Sequence, residues 1–123
     1  MKKLTGFTLI ELLVVLAIIA ILVTLATPRY IQHIDRSKHV VLQENLATLR
    51  TTLEQYNADT GQWPKTLDEL VERKYLRSVP IDPITERADT WLTYPSDNGE
   101  EGIAQVRSGA EGEDANGIPY SDW

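Results

Sequence analysis

The sequence of 123 residues predicts an α+β fold: one long N-terminal α-helix followed by a small head of a short helix, an antiparallel β-hairpin and a C-terminal loop. Three observations carry that reading. Phe7–Thr27 (FTLIELLVVLAIIAILVTLAT) is apolar on every face. Beyond it, Ile31, Ile34, Val41, Leu42, Leu46, Leu49, Leu53 and Tyr56 recur at three- and four-residue steps, the spacing of an amphipathic helix. Near the end, Thr90–Tyr94 (TWLTY) and Ile103–Arg107 (IAQVR) flank the turn-rich stretch Pro95-Ser96-Asp97-Asn98-Gly99, the pattern of a hairpin.

The apolar run comes first. As a helix its 21 residues reach about 31 Å, the thickness of a hydrocarbon core. With no polar stripe it cannot be a surface helix of a soluble domain. It belongs in lipid or in the apolar centre of an assembly. Its one charge is Glu11. A carboxylate within such a span costs several kcal/mol unless neutralised or paired, which makes Glu11 a functional candidate; the plain alternative is a residue that snorkels to the interface or is protonated.

Gly6-Phe7-Thr8-Leu9-Ile10-Glu11 resembles the N-terminal signature of the type IV pilin superfamily: a short basic leader ending in Gly, then Phe, then Glu at the fifth place after the junction, then a long apolar helix. A secretory signal peptide would instead carry a shorter apolar core ahead of a small-residue cleavage site. The resemblance implies cleavage between Gly6 and Phe7 by a prepilin peptidase, N-methylation of Phe7, and pairing of Glu11 with the Phe7 α-amino group of a neighbouring subunit as a filament grows. The physics agrees, because an incoming ammonium relieves a carboxylate that would otherwise be buried alone. The resemblance also implies a ladle-shaped molecule and unwinding just before Pro28 on assembly.

The remaining elements follow in order. Pro28 lacks an N–H and clashes with the preceding turn, so it ends or kinks the apolar helix, and the amphipathic pattern resumes at once. The whole helix is expected from Phe7 to about Asn57, roughly 75 Å if straight. Asp59-Thr60-Gly61 stops it, with Gly61 suited to a left-handed cap. Thr66-Leu67-Asp68-Glu69 is a capping-box pattern opening a short helix to about Lys74, with Leu67, Leu70 and Val71 facing inward. Val79-Pro80-Ile81-Asp82-Pro83 is a rigid connector, and the hairpin follows. Ser108–Trp123 is a Gly- and acid-rich loop whose terminal aromatics are expected to pack.

Two of these stretches narrow the resemblance. Tyr56–Pro64 with Leu67 and Leu70 is similar to the Tyr, acid, Gly, aromatic-Pro and short-helix pattern of the major, G-like pseudopilins of type II secretion. Val79–Pro83 resembles the same family's Pro-x-Asp-Pro connector, and Ile103–Gly109, Asn116-Gly117 and Trp123 resemble its closing strand, loop and terminal aromatic.

Length and charge set bounds. Once leader and membrane helix are set aside, one small domain remains. There is no cysteine, which excludes cysteine nucleophiles, zinc–thiolate clusters and haem attachment. Because many pilus-forming relatives carry a C-terminal disulfide, the resemblance then leans towards the secretion branch. The net charge of −6 becomes about −8 when Lys2 and Lys3 leave with the leader. After Pro95, seven acids face Arg107 alone, so nucleic acid is not an expected partner. Lys2 and Lys3 hold the N-terminus in the cytoplasm, and everything after Pro28 then faces the periplasm or the outside.

Site candidates beyond the N-terminus are few. Major pseudopilins hold calcium in the C-terminal loop, and the resemblance implies a Ca2+ site through Asp114, Glu111, Glu113, Asn116 and Asp122. Their Glu-for-Asp departures leave a solvated acidic loop as an open alternative. His33 and His39 lie about 240° apart on a helix and do not converge on a metal; both are expected at the surface. Trp63, Trp91 and Trp123 are expected as core or subunit contacts rather than a ligand platform. Asp82 and Asp89 are not distinctive as an acid pair, and no nucleophile elbow, phosphate loop or HExxH is present. No enzyme is expected.

The expected organisation is a leader over 1–6, a transmembrane or filament-core helix over 7–28, and a periplasmic head over 29–123. The expected function is a structural subunit, stored in the inner membrane as a single-pass protein, that polymerises into a periplasmic pseudopilus for protein export. Its partners would be further copies of itself, minor pseudopilins, an inner-membrane assembly platform, the prepilin peptidase and, before assembly, membrane lipid. Two rivals stand beside it: a type IV pilus subunit for adhesion, motility or DNA uptake, and a single-pass anchored periplasmic binding module that never polymerises.

Overall fold

The computed structural model describes residues 5–123, except the side chains of residues 28–34. The chain divides into two compact units, Met1–Arg36 and Ser37–Trp123. Helix α1 is assigned over Leu9–Thr60, two residues later at its start and three later at its end than the sequence pattern suggests. Its start is set by Thr8, whose Oγ1 accepts the Glu11 N–H at 3.2 Å, an N-cap that leaves Phe7 outside the helix. The helical assignment passes through Pro28, so the helix does not end there; the side chains of Pro28, Ile31, His33 and Ile34 lie outside the described residues. Gly61 stops α1 as expected, at φ +74 with its N–H on the Asn57 carbonyl at 2.8 Å.

In the unit Ser37–Trp123, the stripe Leu42, Leu46, Leu49, Leu53 and Tyr56 is fully covered. Leu70, Trp91, Ile103 and Val106 close over it, with Trp63, Leu67, Tyr75, Leu76, Val79, Ile84, Tyr120 and Trp123 packed around the edge. Burying each large apolar side chain contributes about 1.5–3 kcal/mol, so the stripe is the main source of this unit's stability. Val41, expected in the stripe, is 43% exposed. It sits a full 100° from Leu42, too far round for the cover to reach.

Helix α2 is Leu67–Glu72. Thr66 Oγ1 accepts the Glu69 N–H, while Glu69 Oε2 accepts from the Lys65 N–H at 2.7 Å, a capping box whose return arm lands one residue early. It stops at Glu72 instead of reaching Lys74, because Lys74 is left-handed (φ 65) and both Tyr75 and Leu76 turn their N–H groups back to the Leu70 carbonyl. The hairpin forms as predicted but shorter: β1 (Leu92–Tyr94) pairs antiparallel with β2 (Gln105–Arg107), Thr93 opposite Val106. A 3-10 turn at Tyr120–Asp122 ends the chain.

A polar network joins the end of α1 to α2. Tyr56 donates to Glu69 Oε1 at 2.8 Å, Tyr75 to Asp59 Oδ2 at 2.9 Å, and Arg73 lies over the Tyr56 ring. The Lys65 N–H and then the Tyr56 hydroxyl hold the Glu69 carboxyl below its ordinary range, and the same bond to Glu69, with burial, pushes the Tyr56 phenol up.

Two expectations follow. A carboxyl depressed by folding contributes stability above its ordinary value near 4.5 and loses it as pH falls through the depressed value. Urea melts across the acid range should therefore show Glu69→Gln less stable at neutral pH and less acid-sensitive than wild type; parallel curves would remove the role given to Glu69. At Gly109, an added Cβ would sit 1.8 Å from the Thr90 carbonyl oxygen. Gly109→Ala should cost about 1–3 kcal/mol, read as a lowered urea midpoint.

Candidate functional site

Among the described residues, Thr5–Thr8 precede the helix as non-helical backbone, and Phe7 is 84% exposed. A Cβ built on Gly6 meets nothing within 4 Å. The Gly6–Phe7 bond thus lies on exposed, non-helical chain. Glu11 lies in the first turn of α1, exposed, its backbone N–H used by the Thr8 cap.

From Leu9 to Thr27 the helix is long and apolar enough to cross a membrane, and none of this span is buried within the unit Met1–Arg36. Its only described polar side chains besides Glu11 are Thr24 and Thr27. Each hydroxyl donates to the carbonyl one turn back, Thr24 to Ala20 at 2.8 Å and Thr27 to Val23 at 2.7 Å, so neither brings an unsatisfied group into hydrocarbon. Glu11 has no such escape. It lies in the first turn, near the end of the span, where the cost of a carboxylate is lower than at the bilayer centre but is not removed by a backbone bond of this kind. The arrangement therefore offers an exposed apolar cylinder with one carboxylate near its N-terminal end.

The C-terminal loop is organised around Asp114. Its Oδ1 accepts the N–H groups of Asn116 at 2.8 Å and Ile118 at 2.9 Å, and its own N–H reaches the Ile118 carbonyl. Glu113 bridges to Pro119, and Glu111, Glu113, Asn116 and Asp122 are exposed. Among the described residues, no three acidic or histidine side chains gather to hold a metal. A cation here would rest on Asp114 with backbone carbonyls, not on a carboxylate cage.

Other candidates take structural places. Asp82 and Asp89 are not a pair. Asp82 is fully buried, accepting from Ser108 Oγ at 2.6 Å and the Ile84 N–H at 2.8 Å. Asp89 is exposed and bound by Arg87, whose guanidinium holds its carboxyl below the ordinary range. Trp91 is core, donating its indole N–H to the Pro80 carbonyl, while Trp63 donates to Glu100. His39 is not a free surface residue: it is half-buried, 2.8 Å from the Tyr120 hydroxyl and tilted against the rings of Tyr120 and Trp123. Sequence reasoning missed both the Asp82–Ser108 bond and the His39 clasp. The one available signal was an Asp within an apolar connector flanked by prolines.

The spacing of Gly6, Phe7 and Glu11 ahead of an uncovered apolar helix is that of a type IV pilin-like protein, and residues 1–27 match the family described as the prokaryotic N-terminal methylation motif. The rest of the chain is similar to one branch of that class. It is 30% identical to the type II secretion system core protein G of Pseudomonas aeruginosa over 67% of this chain and 69% of that protein. The corresponding protein of Vibrio cholerae is 27% identical over the whole chain and 94% of its own length. The fimbrial protein EcpC of Eikenella corrodens is 35% identical over 62% of this chain and 53% of that protein. No solved structure matches. The chain belongs to the family of type II secretion system core protein G, the major pseudopilins.

Proposed function

We propose that this chain is the structural subunit of a periplasmic pseudopilus that serves protein export by a type II secretion system. The observation that carries the reading is the uncovered Leu9–Thr27 span with Glu11 in its first turn. Such a helix has two stable homes, lipid and a bundle of its own kind, and a subunit that moves between them can store itself in one and polymerise in the other. Lys2 and Lys3 place the N-terminus in the cytoplasm and the unit Ser37–Trp123 in the periplasm. The prepilin peptidase cuts between Gly6 and Phe7, and Phe7 is then N-methylated. Its α-amino group meets Glu11 of the neighbouring copy, neutralising the one charge that resists burial. Minor pseudopilins and an inner-membrane platform complete the assembly, and the chain contributes no catalysis. The fimbrial relative favours a pilus subunit as second reading; loss of export on deleting the gene, with surface pili intact, would set that aside.

Glu11→Ala expressed beside wild type is expected to be cleaved and methylated at Phe7 yet to yield no sheared filaments. Filaments at wild-type yield would sink the pairing role, and a retained Met1 in the wild type would favour the anchored-module rival. The calcium that the resemblance implies for the C-terminal loop, through Asp114, Glu111, Glu113, Asn116 and Asp122, is a separate point, and of these it would rest chiefly on Asp114. Calcium should raise the melting temperature of the purified chain in detergent, and Asp114→Asn, which keeps the Oδ1 acceptor, should remove the rise. A melt indifferent to calcium and chelator would leave the loop a solvated acidic turn.

A further inference from the structure

The chain contains two Asn-Gly pairs, Asn98-Gly99 and Asn116-Gly117, both exposed and both at the third and fourth places of a tight turn. The Gly N–H closes each turn in the same way, Gly99 onto the Ser96 carbonyl at 3.1 Å and Gly117 onto the Asp114 carbonyl at 3.0 Å. They are therefore close to a matched pair, and what differs is the bracing. The first turn has one further hydrogen bond, a long one of 3.4 Å from the Asn98 N–H to Ser96 Oγ. The second has three: the Asn116 and Ile118 N–H groups to Asp114 Oδ1 at 2.8 and 2.9 Å, and the Asp114 N–H to the Ile118 carbonyl at 2.9 Å.

An Asn-Gly pair is chemically labile when the backbone can bend freely, because glycine offers no Cβ to block ring closure. The Gly nitrogen attacks the Asn Cγ, a new N–C bond forms, and the Cγ–Nδ2 bond breaks to release ammonia with the displaced proton. Water then opens the succinimide to Asp or to isoaspartate. Overall one water enters and one ammonia leaves, and no oxidant or catalyst is needed. The attack requires the Gly N–H to leave its turn bond, so the rate follows how often the turn opens.

We propose that Asn98 is a site of spontaneous deamidation in the folded protein and that Asp114 protects Asn116 from the same reaction. One ordinary hydrogen bond makes opening about fivefold rarer, so the two extra tethers at Asn116 make a difference of up to about twenty-fivefold, and about tenfold if they act only partly independently. The product matters locally. A new carboxylate at position 98 stands beside Asp97, Glu100 and Glu101, and isoaspartate lengthens the backbone by one carbon just ahead of Glu100, whose Oε2 holds the Trp63 indole N–H at 2.8 Å. Ageing of the subunit thus begins in the hairpin loop and adds to an already acidic surface.

The test is to hold the purified full chain in detergent at mildly alkaline pH and map peptides by mass over time, with isoaspartate distinguished by electron-transfer fragmentation. The expected result is conversion at Asn98 about tenfold faster than at Asn116, with Asp114→Ala raising Asn116 to the rate of Asn98. Asn116 converting first, or equal rates in the wild type, overturns the proposal. So does an unreactive Asn98 when a short peptide of the same sequence converts alongside. If Asp114→Ala leaves Asn116 unchanged while near-ultraviolet circular dichroism shows the variant folded, the protective role of Asp114 is overturned.

Discussion

Everything in the unit Ser37–Trp123 depends on one strip of α1, the buried row Leu42, Leu46, Leu49, Leu53 and Tyr56. The elements that cover it are too small to stand alone. Two strands of three residues make a hairpin with no stability of its own, and a six-residue helix is shorter than any that persists in water. The strip supplies the apolar surface they lack, and beside it α1 sends out a polar tether for nearly every covering segment. His39 meets Tyr120 in the terminal turn, Asn45 donates to the Ile81 carbonyl of the connector, Arg50 to the Val106 carbonyl of β2, and Tyr56 to Glu69 of α2. Apolar burial supplies the energy, and the tethers, directed hydrogen bonds at fixed positions along α1, set the register.

One helix therefore answers to two solvents. Over Leu9–Thr27 its side chains are Leu, Ile and Val on all sides, and within the unit Met1–Arg36 nothing covers them. After Ser37 the same backbone carries one apolar strip and polar faces elsewhere. The change of pattern is what lets an N-terminal half serve lipid or neighbouring helices while the C-terminal half serves its own chain. Glu11 fits that division. Over Leu9–Thr27 it is the one charged side chain, set in the first turn of an otherwise apolar span.

How much was legible follows from the reach of each signal. The long helix, its Gly61 stop, the Thr66 cap and the hairpin rest on spacings of a few residues, and periodicity reports such spacings directly. The family of the N-terminal stretch was legible because its motif, matched over residues 1–27, is a local spacing. The Asp82–Ser108 bond joins residues 26 apart and the His39–Tyr120 contact residues 81 apart; no local pattern encodes such distances, so Asp82 read as an unremarkable acid and His39 as a surface residue. Val41 failed for a subtler reason. Apolar character placed it in the strip, but its angle around the helix kept it out.

The Asp82 and Asp114 carboxylates show how a chain without cysteine closes its loops. Each takes a backbone N–H two residues on, the Ile84 and Asn116 amides at 2.8 Å, so one short side chain folds the backbone back on itself. Their surroundings then separate them. Asp114 is partly exposed, and its remaining electron density can be met by water or a cation. Asp82 is fully buried, where a free charge would be costly, and it is met by the Ser108 hydroxyl at 2.6 Å instead. An Asn there could accept from Ile84 only by turning its amide nitrogen towards Ser108, which would leave the Ser108 hydroxyl hydrogen without this acceptor; the carboxylate accepts on both sides. That bond joins the connector to the end of β2 and does across 26 residues what a disulfide does elsewhere, with directed hydrogen bonds in place of a covalent cross-link.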